Sequence, residues 1–191
     1  MSRDLMHTDE LKAVVRDAYA AIDSSTEAIA HKLYAPDELA QVPRSSIEGA
    51  LGVGNHLRFA VISKGQTILD LGCGAGIDSV LAARRTGATG QVIALDFLPE
   101  MLERTSAAAA EAALANIETL EAEIEGIPLA DGSVDHVISN GVINLSARKR
   151  RVLAECARVL RSGGKLSLSD LTVGDEELPP EVLLHPATWA G

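Results

Sequence analysis

The chain has 191 residues, 47% of them hydrophobic and 23% charged, with only 3% aromatic. That is enough for one domain whose core is built from Ala, Val, Leu and Ile, and the balance argues against disorder. The formal charge of −10, from 17 Lys and Arg against 27 Asp and Glu, argues against a nucleic-acid binder, which needs a basic face to displace phosphate counterions. It argues equally against anionic membrane surfaces. No apolar run nears the roughly 20 residues of a bilayer span, and Met1 to Glu10 mixes charges without a signal-peptide stretch. Two cysteines, Cys73 and Cys156, make no disulfide framework, so a reducing cytoplasm is the expected compartment.

In chain order, residues 1–63 read as a helical segment. Leu11, Val14, Val15, Ala18 and Ile22 recur at helical spacing behind Thr8 as N-cap. Pro36-Asp37-Glu38-Leu39 reads as a second helix start, with Pro in the first turn and acids at the positive dipole end. Pro43 ends that segment, and Gly49, Gly52 and Gly54 read as a flexible approach to the main domain. From Gly65 short apolar runs alternate with helical patterns. Strands are expected at 67–71, 91–95, 117–122, 134–139 and 165–169, with helices at 77–86, 99–114 and 146–160. Ser162-Gly163-Gly164 closes the last helix. This alternation predicts an α/β core over 64–174 with a parallel sheet and right-handed crossovers. Residues 175–191, with Pro179, Pro180 and Pro186, read as a tail.

The strongest local feature is Asp70-Leu71-Gly72-Cys73-Gly74-Ala75-Gly76, which follows an apolar strand and opens a helix. Glycines allow a sharp turn at positive φ and close approach of a ligand to the backbone. The helix behind offers N–H groups and a positive dipole end. Asp96 ends the next strand, twenty residues beyond Gly76, where a carboxylate can accept from both ribose hydroxyls of an adenosine. A dinucleotide fingerprint would place its third glycine at position 77, which is Ile77. Asp70 would also repel a pyrophosphate, whereas S-adenosylmethionine has no phosphate and carries a sulfonium and an ammonium.

These residues resemble the class I S-adenosylmethionine-dependent methyltransferases, and Leu160-Arg161-Ser162-Gly163-Gly164-Lys165-Leu166 is similar to their Leu-Arg-Pro-Gly-Gly turn, with Ser162 in place of proline. The resemblance narrows to the arsenite methyltransferase family. It rests on Leu33 to Leu39, Ser45 to Asn55, Gly76-Ile77-Asp78, Ile138 to Ser146, and the stretch from Leu178-Pro179 to Trp189-Ala190-Gly191. It implies a Rossmann-like sheet with a helical N-terminal lid, and S-adenosylmethionine as cofactor with S-adenosylhomocysteine as product. By the same resemblance Gly72, Cys73, Gly74 and Gly76 lie under the methionine moiety, and Asp70 stands near its ammonium, directly or through water. Asp96 binds the ribose, and Phe97 and Met101 pack near the adenine or ribose. Glu123 or its neighbour accepts from the exocyclic amine, with Ile124 at the ring edge. Asn140 presents its carbonyl towards the methionine end.

The chain departs from that family where thiolates hold trivalent arsenic. The family's cysteine positions are Val53 and Gly141 here, and a third would follow the Trp-Ala-Gly stretch at which this sequence stops. Cys73 and Cys156 read as packed small residues and no metal site is assigned. The implied acceptor is therefore a small molecule other than arsenite, with the space opened at Val53 and Gly141 suiting a carbon, oxygen or nitrogen nucleophile. His56 is the candidate catalytic base, His136 reads as structural, and Tyr19 and Tyr34, in the helical lid, read as core packing or as lining the acceptor pocket. Arg148 to Arg151 reads as a solvated basic face. The alternative is a non-catalytic S-adenosylmethionine-binding protein or fragment acting through a partner. The family's sheet has seven strands, the last two a hairpin beside the fifth. Five are countable here, so strand 165–169 is expected to be an edge: either the sequence is a fragment of a longer protein, or the edge is covered by the tail or by a second copy in a homodimer.

Overall fold

The computed structural model describes Arg16 and residues 26–172. The expectations for the Thr8 to Ile22 helix, Tyr19 and the 175–191 tail lie outside the described residues. Three short helices open the described chain: α1 (Glu27–Leu33), α2 (Pro36–Leu39) and α3 (Arg44–Glu48), with a 3-10 turn at His56–Arg58. Then β1 (Thr67–Leu71), α4 (Ile77–Thr86), β2 (Gln91–Asp96), α5 (Pro99–Glu111), β3 (Ile117–Glu121), β4 (Val134–Asn140), α6 (Lys149–Val159) and β5 (Leu160–Ser169) alternate as the apolar runs predict. The five strands form one parallel sheet in the order β3-β2-β1-β4-β5. Strand order reverses between β1 and β4, and in open α/β sheets ligands settle outside the carboxyl ends at that switch.

The pleat divides the core. Ile68 faces one side with Val80, Leu81, Val92 and Ile138, while Leu69 and Leu71 face the other with Leu95, Val137, Val152 and Cys156. The N-terminal helices belong to the first side. Ala30, Tyr34, Leu39, Val42, Ala50 and Leu57 pack in the same cluster as α4. Polar contacts add to this. Arg85 on α4 pairs with Glu38 at 3.0 Å and also donates to the Leu57 carbonyl. Asn55 Nδ2 donates to Glu38 at 2.8 Å.

Three boundaries differ most from the expectation, the first being that α5 ends at Glu111 rather than at Leu114. Residues 143–145 close a 3-10 turn and the Arg148 N–H reaches back to Ser146 Oγ, so α6 begins at Lys149 rather than at Ser146. β5 begins at Leu160, which pairs with Val134 before the glycine turn, and pairing resumes with Lys165 opposite His136. The turn is a bulge within the strand, with Gly163 at φ +78°. β5 has β4 as its one strand neighbour among the described residues, and Leu168 and Leu171 beside its outer edge are exposed.

Leu69 is fully buried at the centre of β1. Leu69→Ala is expected to cost about 3 kcal/mol in a urea melt through lost transfer energy and the cavity left behind. Phe59→Ser, at a position 83% exposed, is expected to change stability by no more than about 0.5 kcal/mol.

Candidate functional site

A cavity of about 1150 Å³, its mouth included, opens at the carboxyl ends of β1, β2 and β4. Its floor is the turn from β1 into α4, which the sequence bends by three glycines in the left-handed region: Gly72 (φ +72°), Gly74 (φ +52°) and Gly76 (φ +86°). The turn is tied down on one side. The N–H groups of Gly72 and Cys73 both donate to the Leu95 carbonyl, at 2.7 and 3.0 Å, and the Gly74 N–H donates to Asp96 Oδ2 at 3.1 Å. A side chain on Gly72 would start 2.3 Å from Val142, whereas one on Gly74 would meet nothing within 4 Å. Open backbone at Gly74 is the surface that a close-lying ligand needs.

Of the residues expected to hold the cofactor, Gly72, Cys73, Gly74, Gly76, Asp96, Phe97, Met101, Glu123, Ile124 and Asn140 all line this cavity. Asp96 accepts the Gly74 N–H on one carboxylate oxygen and the Leu98 N–H on the other. Burial raises its pKa, opposed by those backbone N–H groups. Asp70 stands behind the turn, 2% exposed, and accepts from Ser79 Oγ at 2.6 Å. Burial pushes its carboxyl up to about 8, with the nearby Asp78 and Asp96 charges adding to the rise.

Asp78, in the first turn of α4, lines the cavity and accepts from Tyr34 Oη at 2.8 Å. Asn140 Nδ2 stands 3.0 Å from its other oxygen. The sequence leaves Tyr34 between core packing and the acceptor pocket and assigns Asp78 no role. Tyr34 is both 5% exposed and part of the cavity wall. The available signal was an acid eight residues after Asp70, in the first turn of the helix that the glycine loop opens. Gly49, Ala50, Leu51 and Gly52 also line the cavity. Two glycines expected to be flexible are instead points of close approach: a Cβ on Gly52 would lie 2.5 Å from Asn140, and one on Gly54 2.6 Å from Ser169.

His56 lies apart from this wall. It is 2% exposed, and neither ring nitrogen has a hydrogen-bond partner among the described residues. Desolvation lowers its pKa and the Arg85 charge lowers it further, against the pull of Asp78. His136 is buried with its ring nitrogen 2.9 Å from Ser167 Oγ, a structural placement. Cys156 packs in the core beneath α6. Cys73 is 6% exposed, and burial together with Asp70 and Asp96 pushes its thiol well up. Val53 and Gly141 face one another: Val53 Cγ1 is 3.2 Å from where a Gly141 side chain would begin. Valine fills the space that the sequence reading left open there. Among the described residues no group of three or more His, Cys, Asp or Glu is placed to hold a metal ion.

A carboxyl whose native pKa is raised binds its proton more tightly folded than unfolded. Stability is then lost as pH rises from the ordinary carboxylate value towards the raised one. Asp70→Asn keeps an acceptor for Ser79 and removes that loss. Urea melts are expected to show the variant more stable than the parent at pH 8, by at least the ~1.4 kcal/mol that one pKa unit represents. No such gain is expected at pH 4; an equal effect at both would contradict the assignment.

The comparisons with known proteins agree with this geometry. A family model described as a methyltransferase domain matches residues 62–189. An arsenite methyltransferase of Halobacterium salinarum is 41% identical over 158 residues, which are 83% of this chain and 40% of that relative. One of Aquipseudomonas alcaligenes is 39% identical over 62% of this chain and 38% of its own length. This chain thus spans about two fifths of the curated relatives that it matches. Among solved structures, an arsenic(III) S-adenosylmethionine methyltransferase of Chlamydomonas reinhardtii superposes with a TM-score of 0.67 at 34% identity, over 91% of this chain and 54% of that one. A SAM-dependent methyltransferase of Aquifex aeolicus gives a TM-score of 0.59 at 26% identity, over 84% and 80%. With its β3-β2-β1-β4-β5 sheet and glycine turn, the chain belongs to the methyltransferase domain family, in the class I S-adenosylmethionine-dependent fold.

Proposed function

We propose that this chain is the S-adenosylmethionine-binding part of a small-molecule methyltransferase whose acceptor is not arsenite. The observation that carries the reading is Asp96. Its carboxylate ends β2 on the cavity wall, fixed by one backbone N–H on each oxygen. A carboxylate has further lone pairs for two ribose hydroxyls. The open backbone at Gly74 gives the methionine part its floor. Charge supports the same ligand. Asp78, Asp96, Glu123 and Glu125 line the cavity, and among the described residues no Lys, Arg or His does. A sulfonium and an ammonium gain from that field, whereas a pyrophosphate is repelled, which disfavours a nicotinamide cofactor.

S-adenosylmethionine brings the methyl group already activated on sulfur. The work left to the protein is alignment and exclusion of water. Tyr34, Leu51, Ile124, Val142 and Leu145 close the wall with apolar surface. A base is needed only for an acceptor that must lose a proton, and His56, buried off the cavity with a lowered pKa, is poorly placed to take it. Tyr34 and Asp78 are a hydrogen-bonded pair on the wall. Arsenite is disfavoured because two of the family's three thiolate positions are a valine and a glycine, and Cys73 sits in the turn with its thiol held protonated. No helix among the described residues is long and apolar enough to cross a membrane.

Calorimetry with S-adenosylmethionine is expected to show binding, weakened at least about tenfold in Asp96→Ala, the loss of hydrogen bonds to a charged group. No heat from the parent at millimolar cofactor would overturn the reading. With radiolabelled methyl donor and an acceptor panel, the labelled methyl should pass to a carbon, oxygen or nitrogen acceptor with release of S-adenosylhomocysteine. Methylated arsenic from arsenite would overturn the acceptor assignment. Binding without turnover on every acceptor would favour the non-catalytic alternative.

A further inference from the structure

Gly49, Ala50, Leu51 and Gly52 form one rim of the cavity, and with Val53 and Gly54 behind them they belong to no helix or strand. The backbone polar groups of such a segment still need partners. One side chain supplies three of them. Asn140 Oδ1 accepts the Val53 N–H at 2.9 Å and the Gly54 N–H at 3.2 Å, and Nδ2 donates to the Gly54 carbonyl at 2.9 Å. The same Nδ2 lies 3.0 Å from Asp78 Oδ2 and 3.1 Å from Tyr34 Oη. The amide thus treats the loop as a neighbouring strand would, and joins it to α4 and to the N-terminal helices. Its own base is rigid, for Asn140 ends β4 and the next N–H, of Gly141, donates to the Ser169 carbonyl at 2.8 Å. The approach is close enough to dictate Gly52, where a Cβ would stand 2.5 Å from Nδ2.

We propose that Asn140 is a positioning residue whose side-chain amide latches residues 52–54 over the cavity, so that seating of this rim and binding of S-adenosylmethionine favour each other. The inference rests on the methyltransferase reading for its ligand, and on the hydrogen bonds above for its mechanism. It differs from the role that the sequence implied for Asn140, a carbonyl turned to the methionine end. A cavity whose rim is seated only part of the time binds with an affinity reduced by that fraction. Loss of the latch therefore weakens binding without removing any group from Asp96 or the glycine turn.

Hydrogen exchange on the full chain, read by mass spectrometry with and without S-adenosylhomocysteine, tests this. Asn140→Ala removes the amide, and Gly52→Ala keeps every hydrogen-bonding group but pushes the rim off Asn140. Without ligand, exchange in 49–55 is expected to rise about tenfold in both variants, the worth of one or two hydrogen bonds. Exchange in β1 and α4 is expected to stay unchanged, which also shows that both variants fold. Ligand should slow 49–55 in the parent, and both variants should bind it about tenfold more weakly. Asn140→Asp keeps the acceptor for two N–H groups but sets a carboxylate against Asp78 and the Gly54 carbonyl. Relative to the parent at the same pH, its rim should loosen more at pH 8 than at pH 5. Unchanged exchange in 49–55 in both Asn140→Ala and Gly52→Ala would overturn the latch. So would weakened binding with unchanged exchange, which would make Asn140 a direct ligand only. A parent that binds no ligand would overturn the methyltransferase reading, and the coupling with it, whatever the exchange shows.

Discussion

The turn between β1 and α4 is not a free loop but part of the bonding of β2. Two of its N–H groups share the Leu95 carbonyl and a third meets the Asp96 carboxylate. That arrangement needs positive φ at Gly72, Gly74 and Gly76, which glycine adopts without strain. It orients Asp96 by hydrogen bonds rather than by packing alone. It also leaves the Gly74 backbone open towards the cavity. The cavity, its charge and the seating of the N-terminal segment all refer to this turn, because β1 and β4 diverge from it at the point where strand order reverses.

The charge distribution around the turn is costly to the fold. Asp70, Asp78 and Asp96 are each less than a tenth exposed, and none has a Lys or Arg within ion-pair distance among the described residues. Their partners are hydroxyls, an amide and backbone N–H groups. Buried carboxylates held this way are a stability cost that a structural core would avoid and a cationic ligand would relieve. Perturbed groups gathered in a cleft mark a working site more often than a packing accident. The opposite face of the sheet, with Leu69, Leu95, Val137 and Val159, carries no such burden.

Much of this was legible in the sequence, because period and spacing encode local structure. The strand and helix alternation, the 77–86 helix and the placing of Asp96 beside the glycine turn follow from residues whose partners lie within one βαβ unit. What could not be read were contacts between distant segments. Gly52 and Gly54 looked like flexible links, since nothing in their neighbourhood shows that Asn140 and Ser169 press against them from strands more than eighty residues away. His56 looked like a base because it follows the acceptor-side segment, yet the fold buries it away from the cavity. Val53 and Gly141 were legible as missing thiols, but not as neighbours in van der Waals contact. The start of β5 was misplaced for a local reason. A bulge opposite Val134 and His136 lets Leu160 pair before the glycine turn, and a glycine pair by itself reads as an end rather than an interruption.

A crystal structure of the chain grown with S-adenosylhomocysteine would test the reading of this cavity most directly. The expected result is the ligand at the carboxyl ends of β1, β2 and β4, its ribose hydroxyls on the Asp96 carboxylate and its methionine part over Gly74. A ligand bound elsewhere, or one in the cavity with its ribose turned away from Asp96, would contradict it.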